Sequence, residues 1–470
     1  MTKKIYAVLL VIAMTALTVL AGSGENKPAE TAGLFQKKEN IVIWYTDDSL
    51  SDYLAGAALK YYEEKDVRIT PVLVSGLQYL EQIHDAQMSG EGAPDLYIIS
   101  NDTLEKAYLS GLAAQITDPA GLVNASYYAD AALCAVTYEN KLLGYPLYFE
   151  TSVFLYNETY LTDMALKTIE AERNAAEGEA AMEMVEAAES DAELEALAEN
   201  DNAATSANDI GKEQIEEKKA ALVPVTMDGI LTFADAYDAP ETVEAVFKWD
   251  VSDIFYNYFI VGGSIDVGGI NGDNTGIIDI YNQKSVECMT LYQQLNQFFS
   301  IDTKAVTYDS VLSEFMEGKI VFTVATTDAI AKLEKAKKDG TFAYEYGVTA
   351  IPAVSASLDS KSLSVTNAAV INGFSKNEAL ANDFASYLVG NQGADFYAMT
   401  GKIPSRYDID YENPAIKAAL SEYGVSVPIP KMMQTSNFWA QLEIAFTRIW
   451  TGADVEEVLR ALDEGIKKQV

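Results

Sequence analysis

Glu150 has the clearest chemical demand of any residue in this chain. It sits in the run from Gly144 to Asn157, GYPLYFETSVFLYN, surrounded by aromatic and aliphatic side chains. A carboxylate in such company is costly unless something hydrogen-bonds to it. A strand-like stretch, Val153 to Tyr156, follows at once and ends at Asn157, a favourable helix N-cap. The segment therefore reads as a chain crossing from one sheet into another past a site with aromatic faces and a hydrogen-bond acceptor. That chemistry suits a polyhydroxylated ligand, whose hydroxyls donate to the carboxylate while its C–H faces pack on rings.

Signals for catalysis or metal binding fall short. His84 is the only histidine, lies in a predicted helix and has no acid–base partner in the sequence, which argues against Ser-His-Asp chemistry and His-rich metal sites. Thr400-Gly401-Lys402-Ile403 resembles the end of a phosphate-binding loop. Phe396 stands at its first glycine position, however, and Ile403 replaces the hydroxyl residue. Asn271 to Gly276 faintly resembles a calcium loop, but the twelfth position is Asn282 rather than a bidentate glutamate, so a hairpin turn is expected. No cofactor and no metal are expected.

The elements that must position Glu150 follow from periodicity. Ile41 to Tyr45, Val67 to Val74 and Asp95 to Ser100 have strand composition, and Leu50 to Glu64 and Leu77 to Met88 have helical spacing. Strand, helix, strand, helix, strand is the pattern of a parallel α/β sheet. Further on, Asp235 to Val246, Ser285 to Phe299, Val311 to Met316 and Asn377 to Val389 (capped at Ser375) read as helices. Ile320 to Thr326, Tyr346 to Ile351 and Ala368 to Asn372 read as strands. Asn413-Pro414 opens another helix, and Phe438 to Trp450 and Val455 to Lys468 close the chain.

With 470 residues, 49% of them hydrophobic, the chain exceeds what one core usually supports, so two domains are expected. A formal charge of −37 argues against nucleic acid and anionic lipid as partners. Lys3, Lys4 and the apolar stretch Ile5 to Leu20 form an export leader over residues 1–22, too short for a confident membrane span. It ends in Leu20-Ala21-Gly22-Ser23, which resembles a bacterial lipobox with serine in place of the lipidated cysteine, so either the chain is cleaved near Ala21 and released or the serine was substituted for that cysteine; export is expected, and a thioether lipid on Ser23 is not. Residues 23–39 read as a polar tether. Cys134 and Cys288 are the only cysteines and do not suggest a disulfide framework. Between residues 164 and 221 alanine and glutamate dominate, with a thin apolar face at Met182, Val185, Leu194 and Leu197. This stretch reads as a solvated helical excursion.

Several short motifs occur in a shared order: Ile43-Trp44 followed by Asp48; Gly92-Ala93-Pro94-Asp95 before Asn101 and Asp102; Gly144-Tyr145-Pro146 before Glu150 and Leu155-Tyr156-Asn157; Phe315 to Lys319 before Thr326-Thr327-Asp328; Tyr346 to Pro352; Pro404-Ser405-Arg406; and Asn437-Phe438-Trp439. In this order the chain resembles the bacterial extracellular solute-binding proteins of the maltodextrin-binding type. The resemblance implies an α/β, two-lobed periplasmic-binding-protein-like fold (type II), each lobe a mixed sheet flanked by helices, with a hinge between. The N-terminal lobe would hold residues 40–149 plus 368–412, and the C-terminal lobe 150–367 plus 413–470, with the acidic insert in the latter. It also implies a monomer that captures an oligosaccharide or other small solute and delivers it to the permease subunits of an ABC transporter. Asp48, Asp102 and Glu150 stand where the family presents polar side chains to sugar hydroxyls, and Trp439 where an aromatic stacks on a sugar ring.

The candidate ligand-binding set is Asp48, Asn101, Asp102, Glu150, Trp249, Tyr256, Asp328 and Trp439, with no catalytic residue. Each has a structural alternative. Asp48 and Asp102 can cap the helices that follow them. Glu150 can hold the hinge together, and Trp249, Phe255, Tyr256 and Trp439 can fill core. Asp328 and Ile99 stand where the maltodextrin subgroup has stacking tryptophans, which argues against a long α-glucan. Three alternatives to sugar transport remain. One is a secreted glycoside-acting enzyme, with two carboxylates about 5 to 9 Å apart. The others are a binding protein for a non-sugar solute and a sensor that presents its ligand to a receptor.

Overall fold

The computed structural model describes residues 39–90, 92–187, 211–433 and 437–470. The leader, Ser23, the tether up to residue 38, and Leu194 and Leu197 of the insert lie outside the described residues. Strands β1 (Asn40–Tyr45), β2 (Arg68–Leu73) and β3 (Leu96–Ser100) are parallel in the order β2-β1-β3, and helices Ser51–Lys65 and Tyr79–Ser89 link them. Alternation explains the packing. Ile41, Ile43, Leu96 and Ile98 enter one apolar cluster, while Trp44, Tyr97 and Ile99 face another on the opposite side of the sheet. Both faces are covered, as a parallel sheet requires.

One strand organises the rest. β4 (Tyr145–Asn157) pairs through Tyr145–Thr151 with β8 (Leu363–Ile371), which in turn lies antiparallel to β3. From Ser152 onward β4 pairs with β6 (Ile320–Thr326) instead, and from Phe154 with β7 (Tyr346–Thr349) on its other side. β5 (Ala245–Phe247) extends β6. The short strands β9 (Ile403–Pro404) and β10 (Val427–Pro428) attach to β4 and β8. The first sheet thus ends and the second begins within a single strand, between Thr151 and Ser152. This is the two-lobed type II arrangement, with Phe154, Phe247, Trp249 and Phe322 in the core of the second lobe.

The switch point is polar and buried. Thr151 Oγ1 lies 2.9 Å from Ser362 Oγ and 2.8 Å from Leu363 O, and Ser362 Oγ lies 2.6 Å from Glu422 Oε1. Glu422 also accepts from Ile351 N at 3.1 Å, and burial pushes its carboxyl above the ordinary range. Thr151 O accepts from Thr327 N at 3.1 Å, which ties the crossing to the end of β6.

Several boundaries differ from expectation. Residues 235–246 are not a helix. The helix is Met227–Ala236, capped by Thr226, whose hydroxyl accepts from Gly229 N at 3.1 Å, while Pro240 has no N–H to continue one. β8 begins five residues before the expected Ala368, because Ser364 and Thr366 are polar residues with buried partners, Ser426 Oγ at 2.7 Å and Tyr423 Oη at 2.6 Å. Ser375 does not cap its helix directly. Its hydroxyl donates to Asp95 at 2.6 Å, and Asn377 holds the N-cap position. In the insert, helix Glu158–Ala187 follows β4 without a break and packs on Lys212–Leu222, with Lys218–Glu172 paired at 2.6 Å. Both cysteines are free.

A strap at Ile429 to Lys431 links Asn101, beside β3, to the Gly272 loop. Asn101 Nδ2 donates to Ile429 O at 2.8 Å, and Lys431 N donates to Gly272 O at 2.8 Å. Gly272 has φ +63°, and a Cβ there would lie 2.8 Å from Pro430 Cα, so only glycine fits beneath the strap. Lys431 is 1% exposed, and its ammonium donates to Cys134 O (2.8 Å) and Asn271 O. Burial pushes its pKa down to about 8, against smaller opposing effects of Asp273, Cys134 and Glu105. The unfolded chain therefore binds more protons between about pH 8 and the ordinary 10.5, so this group's contribution to stability rises with pH across that window and is lost as pH falls through 8. Urea unfolding at pH values on either side of 8 should show wild type gaining stability relative to Lys431→Met as pH rises. A difference that stays flat would contradict this assignment.

Candidate ligand-binding cleft

The groups nearest the strand crossing assemble around a residue that sequence reasoning set aside. The β9–β4 register pairs Ile403 with Phe149, and one step further sets Lys402 across from Glu150. Lys402 Nζ lies 2.8 Å from Glu150 Oε1 and 3.2 Å from Asp47 Oδ2, and 5.4 Å from the centre of the Tyr148 ring. Burial alone would lower the Lys402 pKa, but Glu150 and Asp47 outweigh it and raise it. Burial alone would likewise raise the Asp47 pKa, but Ser49 and the Lys402 ammonium hold the carboxyl below its ordinary value. Burial pushes the Tyr148 phenol up, and the two carboxylates add to the effect.

Two cavities share Thr103 and Lys106, and the first has Asp47 and Tyr148 of this cluster in its wall. The first, about 470 Å³, opens at the ends of β1 and β3 and is lined by Asp47, Gln78, Tyr79, Ser100, Tyr148 and Asn367 among others. The second, about 380 Å³, lies between Asp102 and Lys106 on one side and Pro430, Met432, Met433 and Trp439 on the other. Each falls in the size range of small-molecule sites. Lys106 Nζ, 2.5 Å from Glu81, borders both.

The expected residues divide between these cavities and the core. Asp102 and Trp439 line the same cavity, and Asp102 accepts from the Ser100 hydroxyl. Glu150 stands at the crossing, paired with Lys402. Asp48 is exposed and accepts from Ser51 Oγ at 3.1 Å, and it is Asp47, one residue earlier, that reaches the first cavity. Asp47 also caps the short turn Asp48–Leu50 through Ser49 N at 3.0 Å, the capping task expected of Asp48. Asn101 is buried, and both ends of its amide hold backbone: Oδ1 accepts from Thr366 N and Nδ2 donates to Ile429 O. Tyr256 is buried and stacks on Tyr308, whose hydroxyl donates to Asp328 at 2.8 Å. Asp328 also pairs with Lys332 at 2.7 Å and accepts from the Thr326 hydroxyl, and these partners hold its pKa down against burial.

Trp249 belongs to the core rather than the cleft. It is 0% exposed, stacks on Phe247, meets Trp450 edge-on and donates its indole N–H to Asn257 Oδ1 at 2.9 Å. Sequence reasoning missed Asp47, Tyr148, Lys106 and Lys402. The available signal was Glu150 itself, since a carboxylate among aromatics calls for a cation. No group of three or more His, Cys, Asp or Glu residues forms a metal cluster among the described residues. Trp249→Ala should lower unfolding free energy by about 3–5 kcal/mol through cavity formation. Chemical denaturation measures this, and a loss below about 1 kcal/mol would contradict the core assignment.

Comparison with known proteins agrees with this architecture. A family model described as bacterial extracellular solute-binding protein matches residues 56–421. A galactooligosaccharide-binding protein of Bacillus subtilis is 23% identical, with 100% of this chain and 98% of the relative covered. A maltodextrin-binding protein of the same organism is 20% identical, with 99% and 98% covered. Among solved structures, a cyclo/maltodextrin-binding protein complexed with maltotetraose superposes with TM-score 0.68 at 19% identity, covering 93% of this chain and 98% of that one. An extracellular solute-binding protein from Staphylococcus aureus in complex with maltose gives TM-score 0.67 at 19% identity, covering 92% and 98%. From the strand shared by two sheets to the cavities beside it, the chain belongs to the bacterial extracellular solute-binding protein family.

Proposed function

We propose that this protein captures a short, uncharged oligosaccharide between its lobes and delivers it, chemically unchanged, to the permease of an ATP-driven importer. The carrying observation is the cavity in which the Asp102 carboxylate and the Trp439 indole face one space. Paired hydroxyls donate to a carboxylate, and the C–H face of a pyranose packs on an indole. The named ligands of the relatives, galactooligosaccharide, maltodextrin and maltose, are of this class. Ile99 and Asp328 in place of tryptophans leave Trp439 as the one indole lining the two cavities, which favours a short ligand.

In this reading residues 40–149 with 368–412 form one lobe and 150–367 with 413–470 the other, and binding closes them about the crossing. The leader directs export, and a thioether lipid cannot form on Ser23. A glycosidase is disfavoured on a specific ground: it needs one carboxyl protonated as the acid, whereas Ser49 and the Lys402 ammonium hold the Asp47 carboxyl below its ordinary value. Calorimetric titration with a panel of neutral oligosaccharides should give saturable binding. Asp102→Ala and Trp439→Ala should each weaken it by about tenfold or more, ~1.4 kcal/mol, at little cost in melting temperature. Chromatography should recover the sugar intact. Binding unaffected by either substitution would overturn the site, and steady product formation would overturn the transport reading.

A further inference from the structure

We infer that Lys402 is a specificity-determining residue: anchored by Asp47, it pairs with Glu150 so that the ammonium and carboxylate together read one uncharged ligand hydroxyl. This deepens the carbohydrate reading above and rests on it. The argument is a count of donors and acceptors. An ionised carboxylate has about four acceptor sites. Asp47 is largely engaged: Oδ1 accepts from Ser49 N at 3.0 Å and Ser49 Oγ at 2.7 Å, Oδ2 accepts from Tyr148 Oη at 3.4 Å, and the Lys402 ammonium is ion-paired with Oδ2 at 3.2 Å. Its role is to hold the ammonium.

Lys402 has three N–H donors. One donates to Glu150 Oε1 at 2.8 Å and the ammonium is ion-paired with Asp47, which leaves at least one N–H without a hydrogen-bond acceptor among the described residues. Glu150 Oε2 has no partner among them either, and the Glu150 side chain is 38% exposed. A free donor and a free acceptor thus sit side by side at the crossing. A hydroxyl satisfies both at once, donating to Glu150 and accepting from Lys402. An ammonium can only donate, so it leaves the Lys402 hydrogen unmet and brings two cations together. Sites built around a ligand hydroxyl reject analogues that lack it far more strongly than apolar pockets discriminate by size. Without Lys402, two carboxylates would share the crossing, a pair that favours cations.

The test uses maltotriose, β-1,4-galactotriose and the glucosamine trimer as probes, in mildly acidic buffer where the amines of the last are charged. Wild type should bind at least one neutral trisaccharide and not the glucosamine trimer. Lys402→Met should weaken the neutral probe by about tenfold or more and gain binding of the glucosamine trimer, while Lys402→Arg restores the wild-type preference. Thermal unfolding of each variant shows that the fold is retained. Wild type that binds the glucosamine trimer as well as the neutral probe, or no gain for the cationic trimer in Lys402→Met, would overturn the inference. Wild type that binds neither neutral trisaccharide counts against the carbohydrate reading instead, and the response of Lys402→Met to the cationic trimer still decides whether Lys402 excludes cations.

Discussion

β4 must satisfy two hydrogen-bonding ladders in succession, and this constraint governs much of the molecule. Between Thr151 and Ser152 its partner changes from β8 to β6. A strand that changes sheets leaves backbone groups with no regular partner at the junction, and buried backbone must be paired. Thr327 N takes Thr151 O, the Thr151 side chain takes β8, and Ser152 Oγ donates to Phe255 O at 3.0 Å. The residues flanking the junction are therefore fixed closely in space. Glu150 inherits that precision, as does every group that pairs with it.

Precision at the crossing supports a division of labour in the cleft. The lobe containing β1 and β3 brings carboxylates and an ammonium to the ends of its strands, where an open α/β sheet commonly binds ligands. Trp439, at the start of helix Phe438–Trp450, provides an aromatic face across the second cavity. The strap at Ile429 to Lys431 reaches from Asn101 beside β3 to the Gly272 loop, and its Pro430 forms part of the wall of the second cavity.

Much of the fold was legible because periodicity and caps agree locally. Ile320 to Thr326 and Phe438 to Trp450 were bounded to the residue, and the crossing was read from composition around Glu150. Failures came where long-range partners override local preference. The polar Ser364 and Thr366 read as loop until Ser426 and Tyr423 are beside them. Trp249 and Asn101 were attractive as ligand groups, but whether an indole faces a cleft or a core depends on Phe247 and Trp450, which no motif announces. The choice between Asp47 and Asp48 turned on one residue of turn geometry. Lys402, some 250 positions after Glu150 in the chain, was visible only through strand register.

The chain of hydroxyls beside the crossing has one contact more than it has hydrogens. Thr151 to Leu363 O, Thr151 to Ser362 and Ser362 to Glu422 make three contacts, yet Thr151 and Ser362 bring one hydroxyl hydrogen each. Thr151 therefore shares its hydrogen between Leu363 O and Ser362 Oγ, while Ser362 Oγ donates to Glu422 Oε1 and Ile351 N to Glu422 Oε2. Burial raises the Glu422 pKa, and these donors oppose the rise. The acid beside the crossing is thereby gripped from two segments of chain, and lobe movement turns about a pivot whose polar groups are already matched within the protein.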